Sequence, residues 1–196
     1  MTEWIIKNWV EIIGAITGLV YLYFEINQKI LLWPLGIVTS VFYVIIFYTS
    51  KFYADMSLQF YYIFISIYGW YNWKKGKGNK SNSLPVINLT PKLGVILFFI
   101  HLAIFSAIYY ILRYHTDSPI PFWDALTTSL SIVATWMLTK KIIELWFIWV
   151  FVNFVSMILY IYKGLYPTTV LYLFFGLLSF KGYFEWKKGL KLYQTI

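Results

Sequence analysis

Three polar or aromatic side chains between residues 144 and 160 are spaced so that one helix face would carry all of them. Trp149 and Asn153 are four residues apart, and Ser156 follows three residues later; residues three or four apart share a helix face. An indole ring can stack on a flat heterocycle while an amide bonds the polar ring substituents. The same Asn153 could instead bond a neighbouring helix, a contact worth roughly 1 kcal/mol. The face alone favours neither interpretation.

A second set of neutral polar residues lies between residues 53 and 73. Gln59 and Ser66 are seven residues apart, so that both can face the same path, and Asn72 lies near the end of this segment. Amide side chains are costly inside a membrane unless they find a partner. We therefore expect them to bond either a ligand or another helix.

Enzymatic chemistry finds no support in the sequence. There is no G-x-S-x-G motif, no glycine-rich loop that would cradle phosphate, no H-E-x-x-H motif and no paired intramembrane aspartate. The two histidines, His101 and His115, lack ligand spacing, and the chain has no cysteine. We therefore predict that the protein is not an enzyme and uses no metal or other cofactor.

Six of the eight carboxylates lie near the ends of apolar segments. We expect these side chains to be interfacial, solvated or paired with Lys and Arg; they are Glu11, Glu25, Asp55, Asp124, Glu144 and Glu185. Ion-coupled carriers usually keep ionisable groups within their helices. The pattern therefore favours a facilitator, which moves a solute down its gradient, over a pump.

The composition indicates that the chain that carries these residues is a membrane protein. Of the 196 residues, 60% are hydrophobic, 23% aromatic and only 12% charged, whereas soluble domains carry about a quarter charged residues. Seven segments have roughly the 20 residues that cross hydrocarbon as a helix: 9–26, 30–49, 53–73, 93–112, 123–138, 142–161 and 168–186. The long polar gap from Lys74 to Lys92 predicts an exposed loop. The fold class is an all-α membrane protein with seven transmembrane helices.

The positive charges predict the orientation of the chain. The net charge of +8 comes from basic residues in the short gaps between apolar runs, which is typical of membrane proteins and not of nucleic-acid grooves. With seven spans, eleven of the 16 Lys and Arg residues fall on one side and four on the other, with Lys181 near the end of the last span. We therefore expect a cytoplasmic C-terminus and an external N-terminus.

The two ends of the chain align at a single offset of 113 residues. The coinciding landmarks are Trp33 with Trp146, Tyr53 with Tyr166, Gly69 with Gly182, and W-K-K-G at 73–76 with W-K-K-G at 186–189. Spans one to three would thus repeat as spans five to seven, around a fourth connecting span. This predicts a 3+1+3 parallel repeat with units 1–76 and 123–196, joined by a loop and connector helix at 77–122.

Several segments resemble the PnuC family of bacterial vitamin transporters. They are W-P-L-G-I-V-T-S at 33–40, K-F-Y-A-D-M-S-L-Q at 51–59, Y-G-W-Y-N-W at 68–73 and Y-K-G-L-Y at 162–166. The resemblance implies a 3+1+3 fold in the bacterial inner membrane and facilitated diffusion of nicotinamide riboside, or in subgroups of thiamine or riboflavin. A cytoplasmic kinase would then phosphorylate and trap the vitamin. A homotrimer is also implied.

The resemblance also assigns roles to the polar residues. Nicotinamide riboside carriers have a motif W-x-x-x-N-x-x-F/Y, which this chain matches at Trp149 and Asn153 but not at Ser156. Trp149 would stack on the heterocycle, Asn153 and Gln59 would bond its polar edge, and Ser156 and Asn72 are weaker candidates. The loss of an aromatic wall at Ser156 makes thiamine the alternative substrate. The alternative of another class is a non-transporting assembly or signalling subunit, whose amides would bond only to neighbouring helices.

Overall fold

The computed structural model describes residues 2–75 and 84–194, and within these residues the chain forms seven helices. Their bounds are α1 Thr2–Ile26, α2 Leu32–Thr49, α3 Tyr53–Lys75, α4 Pro91–His115, α5 Pro121–Thr139, α6 Leu145–Tyr162 and α7 Tyr166–Gln194. Each predicted span lies in its own helix, so the prediction of seven helices is confirmed. By length and composition, α2, α4 and α6 are apolar enough to cross a membrane.

Four of the helices end in the same kind of tight turn. After α1, α2, α5 and α6 one residue has a left-handed backbone, with φ of 53° at Gln28, 59° at Lys51, 53° at Lys141 and 71° at Gly164. Each turn closes with a backbone bond across five residues, for example from Lys29 N–H to Phe24 O at 2.8 Å, as in a Schellman motif. Such short turns place consecutive helices side by side and antiparallel.

Six helices close into a ring around a central space. In ring order they are α1, α2, α3, α5, α6 and α7, and α7 packs back against α1. The remaining helix, α4, packs on the outside against α5 and touches α3. Most of the α4 side chains are exposed, and only Leu97 and Leu112 are buried. The ring therefore positions the candidate residues, and α4 connects its two parts.

Two buried tryptophans hold α2 to α3 and α6 to α7 in the same way. Trp33 covers Gly69 so closely that a Cβ on the glycine would lie 2.4 Å from Cη2 of the indole. Trp146 covers Gly182 at the same distance. Each indole also meets a second tryptophan edge-on, with ring centroids 5.3 Å apart for Trp33 and Trp73. The bare glycine backbones allow the helices to approach closely, as small residues do in membrane bundles.

Three contacts join residues that are 113 positions apart. Lys141 Nζ donates to Gln28 Oε1 at 2.9 Å, and Lys163 Nζ donates to the backbone oxygen of Ser50 at 3.0 Å. The rings of Phe47 and Tyr160 stack with centroids 5.7 Å apart and planes 18° from parallel. The first pair lies in the turns after α1 and α5, and the second pair in the turns after α2 and α6. Because α1 and α2 are antiparallel, these pairs lie at opposite ends of the ring.

The expectation of a fully exposed loop from Lys74 to Lys92 is wrong for its second half. Ile87 forms a parallel bridge with Ile142, with bonds from Ile87 N–H to Lys141 O and from Ile143 N–H to Ile87 O, both 3.0 Å. Glu144 Oε2 accepts from Leu89 N–H at 2.8 Å. The segment is fixed because it satisfies backbone groups of the α5–α6 turn, a tertiary contact that the local composition does not reveal. Residues 76–83 of this gap lie outside the described part of the chain.

Candidate substrate site

A cavity inside the six-helix ring brings together four of the five predicted site residues. Gln59, Trp149, Asn153 and Ser156 line it. The wall combines aromatic rings with hydroxyl, amide and carboxyl groups. Ligand sites of proteins are typically apolar cavities with a few converging polar groups. The chemistry of the wall therefore suits a small, polar, ring-containing molecule.

The predicted face of α6 points into this cavity. Asn153 is 4% exposed and Ser156 4% exposed, whereas Trp149 is half-buried at the cavity wall. Asn153 Nδ2 donates to Ser179 Oγ of α7 at 3.4 Å, which is long for a bond of this type. The amide can therefore exchange this partner for a ligand at small cost.

Gln59 reaches the cavity from α3, which is separated from α6 by α5 in the ring. Its side chain is 5% exposed, and Nε2 makes a long contact of 3.4 Å with the backbone oxygen of Asp55 in its own helix. Ser66, two turns further along α3, also lines the cavity. The spacing of seven residues thus placed both side chains on one path, as the sequence predicted.

Asn72 is not brought to the cavity. Its Nδ2 donates to the backbone oxygen of Thr139 at 2.7 Å, which links the end of α3 to the end of α5. The last carbonyls of a helix lack partners within the helix, so that Asn72 satisfies one of them. The structure gives this residue the role of a helix-to-helix bond.

Replacing Asn72 by alanine is expected to lower stability and to leave ligand affinity unchanged. The lost bond should cost roughly 1 kcal/mol, because the α5 carbonyl is left to solvent or lipid headgroups. Thermal unfolding of the purified protein and ligand binding by calorimetry measure the two effects. A tenfold loss of affinity at an unchanged melting temperature would contradict this role and would show that Asn72 contributes to ligand binding.

A ladder of hydroxyl groups on α5 was missed by the sequence prediction. Thr127, Ser131 and Thr135 are four residues apart and line the cavity. Thr135 Oγ1 donates to Ser131 O at 2.8 Å, and Thr127 Oγ1 donates to Trp123 O at 2.9 Å. Because these hydrogens are used within the helix, the oxygen lone pairs remain as acceptors. The spacing of four was visible in the sequence and could have identified this face.

The expectation that the carboxylates are solvated is wrong for three of them. Glu25, Asp55 and Asp124 are 4%, 7% and 0% exposed, and the first two line the cavity. Asp55 Oδ2 accepts from the Tyr160 hydroxyl at 3.3 Å. Each lies near a helix end in sequence but on the inner side of the fold, where neighbouring turns and helices cover it. The side chain of Glu11 lies outside the described residues.

Of the other two carboxylates, Glu144 departs from the expectation and Glu185 follows it. Glu144 is half-buried and bonds the Leu89 amide described above. Glu185 Oε1 accepts from Lys188 Nζ at 2.8 Å near the end of α7. Exposed pairs of this kind contribute little to stability. The cavity wall is different, since none of its described lining residues is Lys, Arg or His. Its described lining therefore contains two carboxyl groups, Glu25 and Asp55, and no basic partner for them.

The ring of helices, the apolar outer faces and the cavity define a helical membrane transporter. Over residues 8–188 the sequence matches the family described as nicotinamide mononucleotide transporter. The chain belongs to this family, which consists of membrane transporters and not of enzymes. The prediction that the chain is not an enzyme is thereby confirmed, and a non-transporting assembly subunit is not supported.

Known relatives agree with the resemblance seen in the motifs. The nicotinamide riboside transporter PnuC of Escherichia coli K12 is 26% identical over 203 residues, covering 91% of this chain and 85% of that protein. The riboflavin/roseoflavin transporter RibM of Streptomyces davaonensis is 22% identical over 180 residues, covering 91% and 84%. A crystal structure of the vitamin B3 transporter PnuC matches with a TM-score of 0.81 at 24% identity, covering 94% and 83%. This last likeness confirms the fold.

Proposed function

We propose that the protein carries nicotinamide riboside across the bacterial inner membrane by facilitated diffusion, and that a cytoplasmic kinase traps the product. The observation that carries this proposal is the cavity, where Trp149, Asn153 and Gln59 converge inside the ring. Trp149 would stack on the pyridinium ring, an attraction of about 1–2 kcal/mol when desolvated. Asn153 and Gln59 would bond the carboxamide and ribose, with Ser156 as a further partner.

The charge of the cavity favours the riboside over its phosphorylated form. A phosphate group needs Arg, Lys or a helix N-terminus as its partner, and the described lining residues include Glu25 and Asp55 but no basic side chain. A cationic nucleoside favours ionisation of these carboxyl groups and is attracted by them, whereas a nucleotide finds no basic partner for its phosphate. Thiamine is the alternative substrate, because its thiazolium ring offers the same cation to Trp149.

Three carboxyl groups are buried inside the fold, so that facilitated diffusion does not follow from a shortage of intramembrane charge. The proposal instead rests on the substrate, which is itself a cation that the cavity carboxyls can neutralise without a coupling ion. Phosphorylation by the kinase then supplies the direction of transport.

Transport in proteoliposomes tests the proposal directly. Vesicles that contain the purified protein but no kinase and no ion gradient should equilibrate radiolabelled nicotinamide riboside to equal inner and outer concentrations. Excess unlabelled riboside should block uptake, and nicotinamide mononucleotide should not. Adding a riboside kinase and ATP inside the vesicles should raise the total label. Accumulation that requires a proton or sodium gradient would contradict facilitated diffusion. Specific uptake of thiamine without uptake of the riboside would identify thiamine as the substrate.

The 3+1+3 parallel repeat is the proposed basis of the transport cycle. Its support comes from features that recur 113 residues apart, namely the tryptophan–glycine contacts and the tight turns. The three contacts between residues 113 apart would then lie on the pseudo-two-fold axis, two of them at opposite ends of the ring. We propose that one three-helix unit rocks against the other around the cavity and opens these ends alternately. A homotrimer, with the exposed face of α4 as a candidate surface, stays a prediction from the resemblance.

The orientation of the chain can be tested because the sequence contains no cysteine. The Asp117 side chain is 53% exposed, and the Asp117→Cys variant should react with a membrane-impermeant maleimide in intact spheroplasts. The Lys188 side chain is 69% exposed, and the Lys188→Cys variant should react only after permeabilisation. This result would place the α4–α5 loop outside and the C-terminus in the cytoplasm. The reverse labelling pattern would invert the proposed orientation.

A further inference from the structure

Glu25 has hydrogen-bonding capacity that the folded protein does not use. Its side chain is 4% exposed and lines the cavity near the end of α1. The carboxyl oxygen Oε1 is buried without a hydrogen-bond partner. The Trp149 indole lies within reach of the carboxyl group and interacts with it. One acceptor oxygen of Glu25 is thus left without a partner beside the indole.

An arrangement of this kind is unfavourable unless a ligand completes it. A carboxyl group that is buried without a cation is costly to ionise, and a positively charged ligand beside it removes that cost. The described side chains around the cavity supply hydroxyl, amide and aromatic groups and the carboxyl group of Asp55, but no cation. A compensating positive charge would therefore come with the ligand.

The other buried carboxyl groups differ from Glu25. Asp55 is bonded to the Tyr160 hydroxyl, which accounts for one of its oxygens. Asp124 is fully buried, and it is not among the residues that line the cavity. Glu25 is therefore the carboxyl group on the described cavity wall that has a buried oxygen without a partner and lies beside the Trp149 indole.

We propose that Glu25 is a specificity-determining residue that selects heteroaromatic cations. The ligand ring would lie against Trp149, and its positive charge or an attached N–H group would meet the Glu25 carboxylate. The substrate class is then a flat, positively charged heterocycle without a phosphate group. This inference rests on the proposed function, because it assigns the Glu25 carboxylate to the same cavity, and it adds the charge of the substrate as the feature selected.

The experiment compares two ligands that differ in ring charge. Nicotinamide riboside has a cationic pyridinium, and its reduced 1,4-dihydro form is neutral but keeps the carboxamide and the ribose. Calorimetry with the purified, full-length protein gives the affinity for both. Glu25→Gln keeps the shape of the side chain and removes its charge. We expect it to weaken binding of the cation by at least about tenfold and binding of the neutral form by less than about threefold.

Two further variants separate charge from damage to the fold. Glu185→Gln makes the same substitution on the outside of α7 and should leave both affinities unchanged. Glu25→Asp keeps the charge on a shorter side chain and should keep the preference for the cation even if both affinities fall. An unchanged melting temperature in Glu25→Gln excludes unfolding as the cause. If this variant weakens both ligands equally, or neither, the proposal for Glu25 is overturned.

Binding measurements with thiamine distinguish a failure of the Glu25 inference from a failure of the proposed function. If the wild type binds nicotinamide riboside and Glu25→Gln binds it equally well, the inference fails and the function stands. If the wild type binds thiamine but not the riboside, and Glu25→Gln loses thiamine, the inference stands and the riboside assignment fails. Binding of the neutral dihydro form in preference to both cations would overturn the inference whichever vitamin is carried.

Discussion

Replacing Gly69 or Gly182 by alanine is expected to destabilise the protein more than the same change at any other described glycine. The new Cβ would lie 2.4 Å from the indole of Trp33 or Trp146, and both indoles are essentially inaccessible, at 0% and 1% exposure. A rigid, enclosed indole cannot move aside, so that the two helices it joins must separate. Overpacking of this kind costs about 1–3 kcal/mol or more. Thermal unfolding in detergent should show a marked fall in melting temperature for each variant.

Gly94→Ala is the matched control in α4. The nearest atom to its new Cβ is 3.5 Å away, which is an ordinary contact. Alanine is favoured over glycine within a helix by up to about 1 kcal/mol, so that the melting temperature should stay the same or rise. The same substitution therefore has opposite expected signs at Gly69 and Gly94. Equal shifts would contradict the packing argument, whereas partial recovery of Gly69→Ala by Trp33→Phe would support it.

Trp149→Ala is expected to cause the largest loss of ligand affinity. It removes the aromatic face from the cavity, and with it about 1–2 kcal/mol of cation–π attraction together with apolar contact to the ring. The affinity for the transported cation should fall roughly 10- to 100-fold, and transport should fall with it. Trp149→Phe should keep part of the affinity, because it keeps a smaller aromatic face. Calorimetry and proteoliposome uptake measure both effects.

The control for this variant is Trp123→Ala. Trp123 is 46% exposed at the start of α5 and does not line the cavity. Its removal should leave affinity unchanged. If Trp149→Ala binds the ligand like the wild type while Asn153→Leu does not, the amide and not the indole would carry recognition. If neither variant loses affinity, the cavity inside the ring is not the substrate site.

The sequence was sufficient for features that depend on neighbours along one helix. Spacings of four and three residues placed Trp149, Asn153 and Ser156 on one face, and a spacing of seven did the same for Gln59 and Ser66. The helices followed from apolar segments long enough to span hydrocarbon. These predictions succeeded because helical periodicity is a local property of the chain.

Features that depend on how the helices close into a ring were not predicted. Glu25 and Asp55 lie near helix ends in sequence, but whether such a carboxyl group meets solvent depends on which helices pack across it. Asn72 was expected at the cavity and instead bonds Thr139, because α5 ends beside it. The segment around Ile87 was expected to be exposed, and its partner is the distant turn between α5 and α6. None of these contacts has a periodic signal in a single segment.

The contacts between residues 113 positions apart have a consequence for how such a protein can arise. In a dimer of two identical three-helix chains, each of these positions would face its own copy. A lysine at the position of Lys141 would then meet a second lysine, and their two ammonium groups would repel. This chain instead has Gln28 opposite Lys141, and a backbone carbonyl at Ser50 opposite Lys163. In the proposed 3+1+3 repeat, joining the two three-helix units through α4 allows facing positions to differ, so that each of these two contacts pairs one cation with one acceptor.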